Sequence, residues 1–586
     1  MTGHVSKSIM SGLRQLYGHF TQVRRRQLGL VLLLMLLGAA GELVTLGAIL
    51  PFLTLLVEPD KAASYPKLLT FFSYFGWNDP ARLLLPVTIL FSAVALIAGA
   101  IRLGLTWVSQ RFVFEAGHDL AVEVYCRALQ QPYAYHVSKN TSDLIAAVTK
   151  VDAVVGGTLM QAMQLVSSAV ISVFIIAALV AIDPVVAVSA ACGFALLYLV
   201  VSYAMQRRLE VISKVWAAAQ SGRVKTLQEG LGGIRDVLID QSQATFVTAY
   251  SGVDKALRWS QAESVFIGAA PRYIIEACGM VLIAFMALVL SGNGGGLVAV
   301  LPVLGALALG SQRLLPLLQM IYHGWTGIVA SKQALFDVLG FLELPVDQRY
   351  LTPATALPFD HAIELKSVDF RYVAGGPQVI AGVSLPIPKG SRIGFIGKTG
   401  SGKSTITDLI MGLLEPTHGE ITIDGIRLAA GTVRGWQAQV AHVPQAIYLA
   451  DTSIASNIAF GVPEAMIDMV QVRDAARRAQ LADFIEGLAN GYDTLAGERG
   501  IRLSGGQRQR IGIARALYKR ANVLVFDEAT SALDSETEAS VIAAIQSLGR
   551  DLTIIIIAHR LSTIEMCDVV VRLDEGRIVE QRRTKS

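Results

Sequence analysis

A glycine-rich stretch after residue 396 carries the clearest chemistry in the sequence. It follows the short strand-like run Ile393–Ile396, precedes an apolar helical pattern and reads Gly397-Lys398-Thr399-Gly400-Ser401-Gly402-Lys403-Ser404-Thr405. This order fits the pattern G-x-x-x-x-G-K-[ST] of a phosphate-binding loop in its required setting of strand, loop and helix. The glycines let backbone N–H groups point at phosphate oxygens where the helix dipole favours anions. We expect Lys403 to neutralise the β and γ phosphates of a nucleotide and Ser404 to ligate Mg²⁺.

Two carboxylates follow a second apolar run, Val523–Phe526. Asp527 is suited to hold Mg²⁺ through water, and Glu528 is suited to orient or deprotonate the attacking water. On its own, an apolar strand that ends in two acids has many ordinary explanations. In the same domain as a phosphate-binding loop, it is the expected partner of that loop.

A third motif lies between these two and reads Leu503-Ser504-Gly505-Gly506-Gln507. It resembles the signature motif of ATP-binding cassette (ABC) transporters. A phosphate-binding loop alone leaves the γ phosphate open to water on one side. The resemblance implies that Ser504 and the glycine N–H groups of one chain close over ATP held by another chain. Because the sequence contains one nucleotide domain, it implies a half-transporter that forms a dimer, most simply a homodimer.

Further residues match the motifs of the ABC family one by one. Tyr372 matches the aromatic residue that stacks on adenine, and Gln445 matches the glutamine that links the γ phosphate and Mg²⁺ to the membrane domain. His559 matches the switch histidine that senses the γ phosphate. Glu498–Gly500 resembles the segment that contacts intracellular loops in exporters, and Ser531–Asp534 resembles the D-loop. The resemblance covers essentially the whole chain and implies an ATPase that uses ATP and Mg²⁺.

Composition limits the classes of protein that could carry these motifs. The chain has 586 residues, of which 16% are charged, and its mean hydropathy is +0.50. Soluble domains carry roughly 25% charged residues, so the composition argues against a wholly soluble enzyme. The formal net charge of +4 is too small for a protein that binds nucleic acid. Four cysteines without metal-like spacing argue against a disulfide framework: Cys126, Cys192, Cys278 and Cys567.

Long apolar runs are concentrated before about residue 330. A helix needs roughly 20 apolar residues to cross a bilayer. We predict six spans: Leu28–Val57, Leu83–Val108, Val154–Ile182, Pro184–Gln206, Phe266–Leu290 and Leu297–Ile321. The basic residues between Lys7 and Arg26 place the N-terminus in the cytoplasm, since Lys and Arg are retained on that side. This predicts a multi-pass membrane protein with its nucleotide domain in the cytoplasm, and the family resemblance implies the bacterial inner membrane.

Two long charged segments, Gln110–Ala153 and Arg207–Val265, then fall on the cytoplasmic side. We expect them to continue the membrane helices into the cytoplasm, since some 20 helical residues project roughly 30 Å. The arrangement resembles that of type-IV ABC exporters. The resemblance implies that Gln131–Asn140 and about Val215–Ser221 are coupling helices, which rest on the nucleotide domains. Ordinary solvated turns are the alternative.

The first external connection contains a stripe of aromatic and apolar residues over Tyr65–Trp77. Such a stripe is typical of a helix that lies in the membrane interface. A loop that carries an ordinary hydrophobic plug is the alternative.

The composition changes to a water-compatible mixture after about Ser331, and three prolines mark Leu344–Asp360 as a linker. Beyond it, short apolar runs alternate with helical stretches, which indicates a mostly parallel sheet covered by helices. We predict a transmembrane domain over 1–335, a linker over 336–360 and an ABC nucleotide-binding domain over 361–586. The fold class is an α-helical membrane domain, with six transmembrane helices and long cytoplasmic extensions, fused to an α/β P-loop NTPase domain of the ABC type.

Three arginines fall at a similar depth within the predicted spans: Arg102, Arg272 and Arg313. A cation in hydrocarbon costs roughly 2.5–3.5 kcal/mol, so each needs a partner, a watery cavity or a role. Doubled in a dimer, they could form a cationic belt for phosphate or pyrophosphate. Alternatively, Arg272 pairs with Glu276 one turn away, and Arg102 and Arg313 lie in cytoplasmic extensions.

The transported molecule is inferred from a further resemblance. Gln228–Leu238, Pro271–Glu276 and the external stripe Tyr65–Trp77 look like the bacterial lipid-linked oligosaccharide flippases of protein glycosylation (PglK-like). This implies ATP-driven flipping of a polyprenyl-pyrophosphate-linked oligosaccharide, with membrane lipids and a lipid-linked anionic substrate as partners. An exporter of lipid A, drugs, peptides or other hydrophobic substrates is the alternative. A protein that gates a channel or acts as a sensor is a more distant one.

Overall fold

The computed structural model describes residues 8–57, 84–182, 184–292, 314–346, 356–373, 375–527, 549–558 and 560–584, with six more between 538 and 546. The chain forms two compact units. Residues 1–131 and 139–346 make up the first, and residues 132–138 and 347–586 make up the second. The predicted external helix at Tyr65–Trp77 lies outside the described residues, as does Arg313.

Long helices build the first unit. In chain order, the described helices between residues 8 and 346 are α1 (Ile9–His19), α2 (Gln22–Val57), α3 (Leu84–Leu129), α4 (Tyr133–Ser138), α5 (Thr141–Val154), α6 (Met160–Ile182), α7 (Pro184–Gly232), α8 (Ile234–Ile239), α9 (Gln243–Gly292), α10 (314–330) and α11 (Lys332–Leu342). Of these, α4 belongs to the second unit.

Several of these helices are longer than a bilayer requires. α7 has 49 residues and α9 has 50, which gives each about 75 Å against a hydrocarbon core of about 30 Å. Both run without interruption from apolar into charged sequence, as predicted. Within the described residues, three helical segments are long and apolar enough to cross a membrane: Gln22–Thr45, Leu85–Leu129 and Thr141–Ala177. The number of spans stays a prediction.

The connection between α7 and α9 differs from the sequence prediction. Val215–Ser221, predicted as a coupling turn, lies inside α7, which continues to Gly232. The prediction was therefore wrong. The chain turns instead at Gly233, through the short helix α8 and Gln241, whose φ is 51°. Two successive glycines weaken a helix by roughly 1 kcal/mol each relative to alanine, which makes this the weakest point of the segment.

Helix α11 extends the first unit beyond residue 335, where the sequence predicted the linker to begin. Leu335, Val338, Leu339 and Leu342 are each at most 2% exposed. Their spacing of three and four residues places them on one face of the helix, which is buried in the core of this unit. The segment expected to start the linker is therefore part of the packed unit.

Two helix irregularities meet in the first unit. Residues Val155–Leu159 form a π-helical turn between α5 and α6, and Ser331 interrupts the helix between α10 and α11. The hydroxyls of Thr158 and Ser331 lie 2.8 Å apart and are buried. A Cβ at Gly157 would lie 2.8 Å from the Cβ of Ser331, so only glycine allows this approach.

The second unit contains two sheets. Its strands are β1 (Ala362–Phe370), β2 (Ile380–Pro388), β3 (Arg392–Ile396), β4 (His418–Ile423), β5 (Ile426–Arg427), β6 (Val440–Val443), β7 (Val523–Asp527), β8 (Thr553–Ile557), β9 (Val569–Asp574) and β10 (Arg577–Arg583). The smaller sheet is antiparallel in the order β2-β1-β4-β5. The larger has the order β10-β9-β3-β8-β7-β6, and all of its pairs except β10/β9 are parallel.

The central strands of the larger sheet are apolar throughout because both faces are covered. All five residues of β8 are buried, as are the first four of β7. These are the short apolar runs that the sequence predicted as strands, and their parallel pairing is confirmed. Parallel strands end at the same edge of the sheet, which is where the loops that follow them meet.

Besides α4, the helices that can be delimited in the described part of the second unit pack into two separate hydrophobic cores. They are α12 (Lys403–Ile410), α13 (Val433–Gln439), α14 (Ile454–Ile458), α15 (Met469–Arg478), α16 (Ala482–Glu486), α17 (Gly505–Tyr518) and α18 (Leu561–Ile564). α12 lies in a core with β1 to β4, closed by Trp436, whose Nε1 donates to the carbonyl of Ile410 at 2.7 Å. α14 to α17 lie in a second core with β6, β7 and β8.

Candidate nucleotide site

The loop between β3 and α12 is shaped by glycines. The φ angles are 152° at Gly397, 83° at Gly400 and 98° at Gly402, values that side chains disfavour. A Cβ at Gly397 would lie 2.2 Å from the carbonyl oxygen of Leu573, whereas a Cβ at Gly400 would meet no atom within 4 Å. The loop therefore packs closely against Leu573 at Gly397, and it is open at Gly400, where a phosphate chain would enter.

Lys403 reaches back into this loop. Its side chain is buried, and Nζ donates to the carbonyls of Gly397 and Lys398, each at 2.9 Å. The hydroxyl of Ser401 is buried and has no hydrogen-bond partner among the described residues. Gly402 begins α12 without a side-chain cap, which leaves the first N–H groups of the helix to another acceptor. An ammonium, a hydroxyl and free N–H groups together fit a chain of phosphates.

Tyr372 stands at the edge of the same loop. Its hydroxyl lies 3.1 Å from Oγ1 of Thr405, and its ring meets that of Phe370 edge to face at 4.9 Å. The side chain is 49% exposed. The ring is thus fixed at two points and still accessible, as a platform for a base requires.

Asp527 ends β7 at the same level of the sheet as the phosphate-binding loop. It pairs with Ile557 of β8, which in turn pairs with Phe395 of β3. Two strand spacings place Asp527 about 10 Å from the end of β3. Gln445 follows the neighbouring strand β6. Carboxylate, amide and hydroxyl oxygens are the ligands that Mg²⁺ prefers, so Asp527, Gln445 and the exposed Ser404 fit this ion.

A further carboxylate, not predicted from the sequence, lies near this site. Burial and the charge of Asp527 raise the pKa of Asp408, in α12, to about 6. Its position four residues after Ser404 places it one helical turn along α12. The sequence carries no motif for it, and its closeness to Asp527 follows only from the packing of α12 on the sheet.

The signature motif forms the N-terminus of α17. Ser504 is the N-cap: its Oγ accepts from the backbone N–H of Gln507 at 3.3 Å, and the Gln507 Oε1 accepts from the backbone N–H of Ser504 at 2.8 Å. This reciprocal pair is a capping box. Ser504 and Gly505 are exposed and Gly506 is buried. The motif therefore exposes to solvent a helix N-terminus that is already capped by its own side chains.

The segment before the signature is held against it. Glu498–Gly500 forms a 3₁₀ turn in which Arg499 has a φ of 52°. Nη1 of Arg508, in α17, donates to the carbonyls of Leu503 at 2.9 Å and Gly500 at 3.4 Å. The turn and the signature are therefore positioned together by one guanidinium.

Three predicted site elements lie outside the described residues: Glu528, Ser531–Asp534 and His559. Within the described residues, the structure brings the phosphate-binding loop, Tyr372 and Asp527 to one edge of the large sheet. It places the signature in the other core of the same unit. A single chain therefore supplies the two motifs at separate positions.

The short helix α4 lies between α3 and α5 in sequence but belongs to the second unit. Burial raises the pKa of its Tyr133, and the charges of Asp408 and Asp527 and the phenol of Tyr372 act in the same direction. Tyr133 is thus within electrostatic range of the phosphate-binding side of the nucleotide domain. This residue belongs to the predicted coupling helix Gln131–Asn140, but its sequence gave no sign of these particular neighbours.

Two of the three arginines predicted for a cationic belt have acidic neighbours. Arg102 forms an ion pair with the buried carboxylate of Glu42, from α2. Nε of Arg272 lies 3.9 Å from Oε2 of Glu276, and both side chains are more than half exposed. Arg102 therefore has the partner that its position requires, whereas the pair that Arg272 makes with Glu276 is long and exposed.

Comparison with known protein families decides the identity of these two units. Residues 380–531 match the family model described as ABC transporter, and residues 59–307 match the model described as ABC transporter transmembrane region. The chain belongs to the ABC transporter family. It is an ATPase whose hydrolysis is coupled to transport, in which a helical transmembrane domain is fused to an ABC nucleotide domain.

Similar proteins are bacterial exporters. The ATP-dependent lipid A-core flippase of Ralstonia nicotianae is 30% identical over 86% of this transporter and 84% of its own length. That of Alkalilimnicola ehrlichii is 32% identical over 86% and 85%. The β-(1→2)glucan export ATP-binding/permease protein of Rhizobium meliloti is 47% identical, but over only 37% of each chain.

A solved structure matches over nearly the full length. A bacterial Atm1-family ABC exporter with ATP bound gives a TM-score of 0.75 at 25% identity, covering 96% of both chains. The transporter is therefore a multi-pass protein of the bacterial inner membrane, with its nucleotide domain in the cytoplasm. The predicted family, fold class and location are confirmed.

Proposed function

We propose that two copies of this transporter bind ATP between them. The observation that carries this is the separation of motifs within one chain: the phosphate-binding loop lies in one core of the nucleotide domain and the capped, exposed signature in the other. A second copy would place its Ser504 and the glycine N–H groups of Gly505 and Gly506 over the γ phosphate. Two identical composite sites then form in a symmetric homodimer.

Each residue of the loop then has a specific role. Lys403 neutralises the β and γ phosphates, the N–H groups of residues 397–405 surround them, and Tyr372 stacks on the base. Ser404, Gln445 and Asp527 would hold Mg²⁺, which would supply positive charge against the charge that develops on the phosphates. Glu528 accepts a proton from the attacking water, and His559 donates to the γ phosphate.

We further propose that the transmembrane domain ends near residue 346, where the two units divide. The nucleotide domain begins near residue 361, at β1. α4 is then the coupling helix, since it is part of the second unit while the chain on both sides of it belongs to the first. Closure of the ATP site would move α4 and, through it, α3 and α5.

For the cargo, we propose an anionic, amphipathic glycolipid of the lipid A-core type. Two relatives with that printed activity align over more than four fifths of their length. The glucan exporter aligns over 37% of its length and supports the shared ATPase more than a shared cargo. A polyprenyl-pyrophosphate-linked oligosaccharide is the second candidate, because the loosely paired Arg272 could bind its pyrophosphate.

A flipping assay in proteoliposomes tests this proposal. We expect the full chain to translocate fluorescent lipid A-core with ATP and Mg²⁺. The variant Glu528→Gln should still bind the lipid but should not translocate it. Translocation of a polyprenyl-pyrophosphate-linked oligosaccharide alone would replace the first cargo by the second. Drug-stimulated ATPase without glycolipid transport would contradict both, and ion conductance without net movement of lipid would indicate a channel.

The same assay tests Arg272. We expect Arg272→Gln to slow glycolipid translocation more than basal ATPase, because the headgroup loses a cation. Arg258→Gln is the matched control, since Arg258 lies on the same helix and pairs with Asp254 at the same spacing. Equal translocation by the Arg272 and Arg258 variants would remove Arg272 from the substrate path.

A further inference from the structure

We propose that Arg515 is a positioning residue for ATP hydrolysis, which fastens the segment following Gln445 to the signature helix α17. This role of Arg515 rests on the proposed binding of ATP between two copies and does not depend on the cargo. Its test uses basal ATPase, so failure of the glycolipid proposal and failure of this one are distinguishable.

The guanidinium of Arg515 bridges two neighbouring segments. Its Nε donates to the carbonyl of Asn457, in α14, at 2.9 Å, and its Nη2 donates to the carbonyl of Tyr448 at 3.1 Å. The same group lies over the ring of Phe460, 4.4 Å from the ring centre. Hydrogen bonds from a cation are stronger than neutral ones, and three contacts fix the orientation of the planar group.

Asn457 completes the attachment. Its side chain is fully buried. Oδ1 accepts from the N–H of Ala450 at 3.0 Å, and Nδ2 donates to the carbonyl of the same residue at 2.9 Å. The backbone of residues 448–450 is thus bound at three points by Arg515 and Asn457, although this segment has no helix or strand of its own.

Direct packing adds to these hydrogen bonds. A Cβ at Gly512, on α17, would lie 2.5 Å from Cδ1 of Ile447 and 3.5 Å from Cγ1 of Val443. The absence of a side chain at Gly512 therefore lets the helix backbone rest on the chain immediately after Gln445. The hydrogen bonds of Arg515 lie less than one helical turn further along the same helix.

The position of this attachment gives it a role. Gln445 leaves the edge of the sheet two residues after β6, within reach of the phosphates, and α17 begins at Ser504, which we place on the partner's ATP. The segment from Ile447 to Ala450 follows Gln445 and contacts this helix at Gly512 and Arg515. With Arg515 in place, a displacement of Gln445 moves the signature helix as a rigid body. Without it, the segment and the helix can move separately.

Arg510 provides a matched control. It lies on the same helix, and its Nη1 also donates to a backbone carbonyl, that of Gln480, at 3.0 Å. Gln480 follows α15 and lies outside the segment after Gln445. Arg510→Met therefore removes one guanidinium and one carbonyl contact from α17 without releasing residues 447–450.

The experiment compares Arg515→Met, Arg515→Lys and Arg510→Met in the full transporter, reconstituted in nanodiscs. We expect Arg515→Met to lower kcat about tenfold with KM for ATP within about twofold, and to lower the Hill coefficient for ATP towards 1, because the two sites lose their coupling. Arg515→Lys, which can reach one carbonyl, should restore part of kcat. Arg510→Met should behave as wild type.

Several outcomes would overturn the proposal. Wild-type kcat in Arg515→Met would show that Arg515 has no role in hydrolysis. An equal loss of kcat in Arg510→Met would show that the loss comes from a less stable helix α17. A rise in KM with unchanged kcat would assign Arg515 to ATP binding instead. If Arg515→Met does not fold, Arg515→Lys decides: an intermediate kcat at unchanged melting temperature supports the proposal, and wild-type kcat contradicts it.

Discussion

Two helices of the nucleotide domain present their N-termini in opposite ways. α12 begins at Gly402, in a left-handed conformation, with no side-chain cap. α17 begins at Ser504, whose hydroxyl and the amide of Gln507 form a complete capping box. Lys403, Thr405 and Ile406 at the start of α12 are buried, whereas Ser504 and Gly505 at the start of α17 are exposed.

The presence or absence of a cap suits the two helix N-termini to different roles: the uncapped one to binding a ligand, and the capped one to contact with a second chain. An uncapped helix needs another acceptor for its N–H groups, and the loop around Lys403 leaves room for a phosphate to provide one. A capped helix is stable without a ligand and can remain exposed until a second chain arrives. By our proposal, the nucleotide binds first at the N-terminus of α12, and α17 of the partner adds to it only in the dimer.

The largest effect should come from removing the proposed general base, Glu528, while the N-termini of α12 and α17 stay intact. Glu528→Gln should leave ATP affinity within about twofold and lower kcat by about 10³-fold, since a general base contributes 10²–10⁴. The two ends should then remain clamped on ATP. ATP-dependent crosslinking of the nucleotide domains, measured beside phosphate release, checks this. Hydrolysis at the wild-type rate would refute the role of Glu528.

The next largest effect should come from the α12 end. Lys403→Met removes the ammonium that reaches the carbonyls of Gly397 and Lys398 and, by our proposal, the phosphates. Loss of a charged hydrogen bond of about 1.5–3 kcal/mol should weaken ATP binding by about 10- to 100-fold. Fluorescent nucleotide titration of the full chain measures it. Unchanged affinity would mean that the N-terminus of α12 is not the primary site.

A smaller effect should distinguish the two uses of Ser504. Asp is as good an N-cap as Ser, so Ser504→Asp should preserve the melting temperature. Its negative charge would face the γ phosphate of the partner's ATP and should lower ATPase activity about tenfold. Ser504→Ala should cost about 1 kcal/mol of stability and also reduce activity. Full activity in Ser504→Asp would limit Ser504 to capping.

The helix α15 offers the control for this comparison. Its N-cap, Asp468, accepts from the N–H groups of Val470 and Gln471 in the same domain. Asp468→Ala should lose about 1 kcal/mol of stability and leave ATPase activity within about twofold. A fall in activity equal to that of Ser504→Ala would show that any weakened helix start affects hydrolysis.

Local sequence determined most of the nucleotide site. The loop Gly397–Thr405 and the capping box at Ser504 are formed by residues within one short stretch, so their geometry follows from residue type and spacing. The strands β3, β7 and β8 were predictable because parallel strands covered on both faces are rich in apolar residues. The role of His559 rests on the family resemblance alone.

Contacts between distant segments were not predictable in the same way. The partner of Arg102 is Glu42, on another helix, and the pairing depends on how α2 and α3 pack. The turn between α7 and α9 lies at Gly233 and not near Val215–Ser221, because polar residues continue a helix that glycines end. Composition indicated a cytoplasmic segment but did not locate the turn within it.

The sequence by itself determined the chemistry: a phosphate-binding loop, an acidic strand end and a signature, each encoded by neighbouring residues. Only the tertiary structure decided which of these meet within one chain and which stay apart. It also decided that Arg515 reaches Tyr448, that Asp408 lies near Asp527 and that α4 joins the nucleotide domain. The physical reason is that hydrogen bonds and charges act over a few ångströms in space, whatever the separation of the residues along the chain.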